Sequence, residues 1–535
     1  MVASPSSRQV ELVLAMKRAP SPELVDLLQQ WKEGRIFLHE TAEGVITPVM
    51  SVGEPAADGT VGLKRFVDEA PFVDAGGKDI RQDPSMMELA ETDSKLRRAM
   101  KEVSDLAAFA DPDVTRRVRA VRDASIGQNL EKLPPLLELR NTEYNAEVLR
   151  ALDESIALIQ LKSSDQAERV EAAKTLGRLK SLAAVDALKT AAKQAAETRD
   201  EPMSLAVRKA QAAIDAHITI INAAGTGFRG ISLGSVLLIV AMGLAITFGL
   251  MGIINMAHGE FIAVGAYATY LVQSICGEGL KLSPFGKSLS IPGLGLANAN
   301  DVYFVVALPL SFLLAALVGL LLERSVIRFL YRRPLESLLA TWGVSLVMQQ
   351  LLRLIFGPNN VPITSPSWLS GNWTVNDIVF GWNRVFVIGF AILIVCLTWL
   401  ILNRTPLGLL IRSVMQNRNM AACMGIRTDR VNMMTFAFGC GLAGLAGAFL
   451  SQIGNVNPAL GQSYIVDSFM TVVVGGVGNI LGTVISALGI GMADQSLQQY
   501  LGNPVTGKIL VLAAIILFLQ WRPEGLFTTR SRSLD

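Results

Sequence analysis

Met251-Gly-Ile-Ile-Asn-Met-Ala-His-Gly-Glu-Phe-Ile-Ala-Val-Gly265 is the stretch on which the fold turns. Hydrophobic runs flank it, yet it carries an amide, an imidazole and a carboxylate. Backbone at lipid depth must satisfy its own hydrogen bonds. A glycine-broken polar junction there either lines protein or water, or is an ordinary interhelical turn whose polar groups cap helices or face headgroups. The first option makes Asn255, His258 and Glu260 candidates for a solute pathway.

Outward from this stretch the composition divides. The 535 residues are 51% hydrophobic and 18% charged, with mean hydropathy +0.40. That is too apolar for one soluble domain and too charged for a bare membrane bundle. Charged residues crowd residues 1 to 228, and long uncharged runs recur from Ile231 to Trp521. The net charge of +2 argues for neither nucleic acid nor an acidic partner. Cys276, Cys396, Cys423 and Cys440 show no CxxC spacing, and His39, His217 and His258 are scattered, so neither a disulfide framework nor a metal site is indicated.

At about 20 residues per crossing, the second part cuts into about nine segments: 231–254, 258–275, 302–323, 338–356, 385–403, 431–453, 464–478, 480–497 and 506–521. The seventh is too short for a full crossing. Cationic connections at Arg324 to Arg333, Arg404 to Arg430 and Arg522 to Arg532 belong to the cytoplasmic side, and the loops 276–301, 357–384 and 454–463, poor in cations, belong outside.

Counting back places residue 230 and everything before it outside as well. The first residues lack an apolar run followed by a small-residue cleavage site, so this placement predicts an export signal removed or left out of the numbering. Within the first part, Arg35-Ile-Phe-Leu-His39 and Gly44-Val-Ile-Thr-Pro-Val49 predict a small hairpin, and 51–84 predicts a loop region. From Met86 to Ala224 the period is helical. Stretches starting at Asp111, Asp165 and Met203 share a capped start and an Arg-bearing apolar face, which resembles stacked HEAT-type hairpins; an irregular Ala-rich bundle is the alternative.

The fold expected is therefore all-α: a polytopic membrane helix bundle of about nine spans, some broken, behind an N-terminal helical, HEAT-like soluble domain carrying a small β-hairpin. Its parts are a mixed segment 1–84, a helical and periplasmic domain 85–224, a permease domain 225–527 and a cytoplasmic tail 528–535.

A second break, Gly475-Gly-Val-Gly-Asn-Ile-Leu-Gly482, repeats the design of the first, with glycines inside an apolar run and Asn479 at the break. Paired broken helices point to a central site where freed backbone groups face a solute; close packing through small residues is the competing reading. The segment Arg404 to Arg430 forms a short amphipathic helix, with small residues at Ala421 and Ala422 and a stop at Gly425. It suits either a groove on a cytoplasmic partner or anionic headgroups. Gly502 to Lys508 mimics the start of a phosphate-binding loop, but Ile509 leaves no hydroxyl for magnesium.

Ile254-Asn-Met-Ala-His-Gly-Glu260, the Arg404 to Asp429 loop and Val474-Gly-Gly-Val-Gly-Asn-Ile-Leu-Gly482, in this order, resemble the branched-chain amino-acid type permeases of ABC importers over residues 225–527. The long domain ahead of the first span is similar, within that family, to the urea-type (UrtB-like) permease subunits. The resemblance implies a transport subunit and no enzyme, with no cofactor of its own, since ATP and magnesium sit on partner chains. Its implied partners are a second homologous permease subunit, two cytoplasmic ATPase subunits and an extracytoplasmic solute-binding protein, in the lipid of a bacterial inner membrane with the C-terminus cytoplasmic.

On this reading the ATPases push on Met415, Asn417, Arg418, Ala421, Ala422, Gly425, Ile426 and Arg427. Urea, small, neutral and planar, needs a few hydrogen-bonding groups and no fixed ion pair. The candidates are Asn255, His258, Glu260, Thr341, Ser345, Gln349, Asp467 and Asn479, with backbone at Gly475, Gly476 and Gly478, and Glu260 foremost. A branched-chain amino acid or short amide is the alternative cargo, an ammonium meeting one acceptor and a carboxylate meeting helix N-termini. An ion-coupled secondary transporter or a membrane-anchored scaffold would need neither ATPases nor broken polar spans.

Overall fold

The computed structural model describes residues 6–16, 23–40, 46–52, 60–65, 70–72, 80–82, 87–251, 255–277, 279–282, 289–295, 299–330 and 334–527. The chain separates into two units, Met1–Thr219 and Ile220–Asp535.

The first unit opens with α1 (Ser6–Ala15) and α2 (Glu23–Lys32). An antiparallel sheet follows, built from β1 (Ile36–Glu40), β2 (Ile46–Val52), β3 (Val61–Arg65), β4 (Arg81–Gln82) and β5 (Glu88–Leu89) in the order β4-β3-β2-β1-β5. The expected hairpin is its β1–β2 pair, with Ile36 opposite Met50. The all-α expectation is thereby corrected: the segment read as a loop supplies three more strands. Their brevity hid them, although Val61 and Leu63 alternate into a small core with Val49 and Phe72. The fully buried Trp31 ties α2 to the sheet by donating from its indole Nε1 to the Ala90 carbonyl at 3.2 Å.

Helices then take over: α3 (Ser94–Ala108), α4 (Val114–Ser125), α5 (Leu133–Thr142), α6 (Ala146–Gln160), α7 (Gln166–Leu179), α8 (Val185–Thr198) and α9 (Glu201–Met251). Asp113 and Asp165 cap α4 and α7, each carboxylate accepting a first-turn N–H. One turn further on, Arg117 donates to the carbonyls of Asp111 and Pro112 and pairs with Glu143. Arg169 repeats the pattern, donating to Ser163 and Ser164 and pairing with Asp200. The third related stretch opens α9, capped by Asp200 through the N–H of Met203, and has Ser204 where the other two have arginine.

The second unit contains the end of α9 and then α10 (His258–Cys276), β6 (Gly279–Leu282), β7 (Leu289–Pro292), α11 (Ala299–Ser325), α12 (Pro334–Phe356), β8 (Asn372–Val375) and β9 (Ile378–Gly381). It ends with α13 (Trp382–Arg404), α14 (Pro406–Gln416), α15 (Arg418–Cys423), α16 (Thr428–Leu450), α17 (Leu460–Gly475), α18 (Ile480–Leu501) and α19 (Pro504–Trp521). Two of the connections expected as plain loops hold hairpins, β6–β7 and β8–β9. The β8–β9 turn places Asn376 and Asp377 at φ of 48° and 67°, as a two-residue hairpin turn requires.

Each of the nine expected segments is a helix, but among the described residues seven helices are long and apolar enough to cross a membrane. The two that fall short are α10 and α17, the helices that adjoin the two breaks. At 16 residues α17 is only about 24 Å long, against a hydrocarbon core of about 30 Å.

The bundle is layered by burial. The apolar windows of α9 and α16 are 83% and 78% buried, whereas those of the other five candidates range from 17% to 33%. A central pair is thus enclosed by α10 and α11, and the outer helices turn apolar side chains such as Leu313, Leu393 and Ile509 outward. Glycines allow the centre to close: a Cβ at Gly444 would lie 2.6 Å from the Ser311 carbonyl oxygen, and one at Gly447 would collide with the carbonyl of Ile262 in α10.

Candidate functional site

The first break is built from two helices. Residues 252–254 lie outside the described set; from Asn255 the chain turns and enters α10 at His258. The Asn255 carboxamide accepts the Ala257 N–H at 3.0 Å, and the Met256 N–H is bound by Thr341 Oγ1 at 3.1 Å. That threonine belongs to a row on α12. At 3.6 residues per turn, Ser337, Thr341, Ser345 and Gln349 fall on one face, and all are buried, while Leu339, Trp342, Val347 and Leu354 are exposed. The helix is polar inside and apolar outside, as suits a lipid-facing span. Ser337 belongs to the same row and was missed by the sequence reading, though its four-residue offset from Thr341 was the available signal.

Glu260, in the first turn of α10, receives this row. Its Oε1 accepts from Ser345 Oγ and from Gln349 Nε2, each at 2.8 Å. Its Oε2 is buried without a partner, as are Asn255 Nδ2 and both ring nitrogens of His258. The His258 ring faces the Val240 carbonyl of α9 without forming a well-shaped hydrogen bond. Glu260 is 1% exposed and His258 0%. The cluster is occluded, with its donors (Asn255 and a His258 N–H) and its acceptor (Glu260 Oε2) left unsatisfied. Each such atom costs about 1–3 kcal/mol when buried, which marks a place built to meet a polar guest.

The second break has a different job locally. α17 ends at Gly475, Gly476 and Gly478 take φ of +97° and +81°, and Asn479 caps α18 by accepting the Gly482 N–H at 3.1 Å. A Cβ at Gly475 would lie 2.6 Å from the carbonyl carbon of Gly482, so these residues secure close packing. The two breaks share α9 as a neighbour, since a Cβ on Gly249 would be 2.7 Å from Gly478 Cα. Among the described residues, no hydrogen bond joins Asn479 or Asp467 to the Glu260 cluster. Asp467 is instead paired with Lys508 of α19 at 2.9 Å.

The segment between α13 and α16 folds as two helices where one was expected. The α14 helix ends at Asn417, whose carboxamide caps α15 through the Met420 N–H at 2.9 Å. Gly425, at φ +85°, stops it, and the Ile426 N–H returns to the Ala421 carbonyl at 3.1 Å. Ala421 is buried beneath, while Met415, Met420, Ala422, Met424 and Arg427 are exposed, and Arg418 pairs with Asp429 at 3.2 Å. The α14 helix packs on α16, and α16 packs on α10. A push at this segment therefore has a solid route to the first turn that bears Glu260.

This arrangement agrees with what comparison with known proteins shows. The family described as "Branched-chain amino acid transport system / permease component" matches residues 227–519, more than half of the chain. The chain belongs to that family. The permease is 27% identical over 312 residues to the high-affinity branched-chain amino acid transport system permease protein LivH of Salmonella typhimurium, covering 56% of this chain and 93% of that protein. It is 24% identical over 309 residues to the probable LivH of Methanocaldococcus jannaschii, covering 55% and 88%. It is 24% identical over 321 residues to LivM of Escherichia coli K12, covering 55% and 68%. No solved structure matches. The permease is thus a transport component of the branched-chain amino acid type, and its first unit lies ahead of the matched region.

Proposed function

We propose that this chain is one of two permease subunits of an ATP-driven importer in the bacterial inner membrane and that its cargo is a branched-chain amino acid or a similarly small amide. Partners follow from the same reading: a second homologous permease, two cytoplasmic ATPases beneath α14 and α15, and an extracytoplasmic binding protein. The HEAT-like first unit sits on the extracytoplasmic side and the C-terminus in the cytoplasm, as the arginines between Arg404 and Arg430 require.

The observation that carries the reading is the set of unsatisfied atoms around Glu260. An ammonium or amide N–H meets Glu260 Oε2, and a carboxylate or carbonyl oxygen meets Asn255 Nδ2 and a His258 N–H. Ser345 and Gln349 hold the carboxylate from behind, so its free oxygen has one direction to face. ATP-driven closure of the ATPases displaces α14 and α15, α16 transmits the displacement to α10, and the occluded cluster opens to one side at a time.

The relatives are named for branched-chain amino acids, and this places an amino acid first. Urea is the second reading. The same donors suit its carbonyl and the same acceptor its amino groups, with no aliphatic pocket needed. The two are separated by the ATPase activity of the complex reconstituted with its binding protein. Stimulation by leucine supports the first reading, and stimulation by urea alone transfers the assignment to the second.

A further inference from the structure

Away from the breaks, charged side chains from several helices gather at one end of the bundle. The α13, α17 and α19 helices start there and α18 ends there, opposite the α14–α15 segment. Arg229 of α9 donates to Gln499 Oε1 of α18 at 3.1 Å, and Phe228 stacks edge-on against Phe380, just before α13, at 4.9 Å. Lys508 is consumed by Asp467 at 2.9 Å and by the Ser463 carbonyl at 3.2 Å.

Two groups are left over. Among the described residues the half-buried guanidinium of Arg384 has no hydrogen bond and no ion pair; its electrostatic neighbours are Arg229, which repels it, and Tyr464. Asp494 accepts a bond from Gln498 of its own helix at 2.7 Å and has no ion pair. Tyr464 interacts electrostatically with both, so its ring lies between a spare cation and a spare anion.

A half-buried guanidinium beside a second guanidinium, with no carboxylate of its own, is an unfavourable arrangement in an empty site. It becomes favourable once a carboxylate arrives, which arginine binds through paired N–H donors. We propose that Arg384 and Asp494, on either side of Tyr464, form a receiving site for a zwitterionic α-amino acid at the extracytoplasmic end of the permease. The carboxylate docks on Arg384 with Arg229 adding field, the ammonium on Asp494, and the Tyr464 ring supports the aliphatic part. Asp467 takes no part because Lys508 already neutralises it. Cargo handed over here is then drawn inward toward Glu260. This rests on the amino-acid reading above and narrows it, since the site selects for both charges and gives urea no comparable hold.

The test uses the whole importer in proteoliposomes, with leucine-loaded binding protein outside the membrane domain and ATP supplied to the ATPases. Leucine taken up per ATP hydrolysed is measured for wild type, R384Q, R384K, D494N and, as a control, the exposed rim variant Y500A. Expected are a fall of at least tenfold for R384Q and D494N, a smaller fall for R384K, and wild-type coupling for Y500A. Elution of R384K as a monodisperse complex keeps the comparison valid should R384Q fail to assemble.

Wild-type coupling in R384Q overturns the proposal. So does a rise in the binding-protein concentration needed for half-maximal ATPase stimulation with uptake per ATP unaltered, which would make Arg384 a docking contact. Uptake of urea and not leucine by the wild type removes the amino-acid reading and the receiving site with it. Leucine uptake by the wild type with intact R384Q coupling removes the site alone.

Discussion

Replacing Glu260 by Gln separates a cargo-binding carboxylate from a purely structural one. The amide is isosteric: its carbonyl still accepts from Ser345 Oγ and Gln349 Nε2, so the 2.8 Å bonds that fix the side chain survive. What changes is the second position, where an NH₂ donor replaces the unpartnered Oε2. An ammonium arriving there then meets a donor. A hydrogen bond to a charged group contributes about 1.5–3 kcal/mol. Leucine uptake by E260Q in proteoliposomes should therefore fall by about 10- to 150-fold while the thermal midpoint of the purified complex barely moves. Glu260→Ala is the companion variant. It strands Ser345 Oγ and Gln349 Nε2 without an acceptor, at about 1–3 kcal/mol each, and should lower the midpoint as well as the uptake. Wild-type uptake by E260Q, with E260A merely less stable, would refute the reasoning and leave Glu260 as a packing residue.

Three further outcomes are expected. Ala422→Glu puts a charge among the exposed Met420 and Met424 without touching the core, and should cut cargo-stimulated ATPase activity more than tenfold with unchanged expression; unchanged stimulation would free this segment from the coupling role. Gly447→Leu should prevent a monodisperse complex or lower its midpoint by an overpacking cost of about 1–3 kcal/mol or more, because the new side chain meets the Ile262 carbonyl; an unaltered midpoint would show that α10 and α16 can part. In the first unit, burial raises the Glu143 carboxyl, but the Asn145 N–H, Arg117 and the Tyr144 N–H outweigh it and hold the group below its ordinary value of 4.5. A carboxylate depressed in the folded chain stabilises it above 4.5 and loses that contribution as pH falls through the lower folded value, so hydrogen-exchange protection of α4 and α5 should weaken on acidification from 4.5 downward, and E143Q should flatten the dependence.

The membrane helices were legible because lipid imposes long apolar runs, and the break at Asn255 to Glu260 was legible because polar groups there have no other excuse. Thr341, Ser345 and Gln349 could be named from their type, but that they hold Glu260 Oε1 follows only from the packing of α12 on α10. Asp467 looked like a pathway residue since nothing in the chain order says that Lys508, a helix away, will neutralise it. Asn479 was read for its amide, whereas its place ahead of α18 makes it a cap. The strands β3 to β5 escaped because they are brief and lie among Gly, Pro and Asp runs, so their pairing is set by β2 and β1 rather than by their own pattern. The stripe Gly439-Cys-Gly-Leu-Ala-Gly-Leu-Ala-Gly447 was in plain view as a signal for close helix contact, and it forms the seam of the bundle.

The central claim is that the cluster around Glu260, sealed in the resting chain, opens to water during transport. Ser345→Cys tests it most directly, in a background where Cys276, Cys396, Cys423 and Cys440 are replaced. The side chain is 4% exposed at rest, so a hydrophilic thiol reagent should leave it unmodified without nucleotide. During ATP turnover with loaded binding protein the thiol should react. A thiol that stays protected throughout the cycle, in an importer that still moves leucine, would contradict the account.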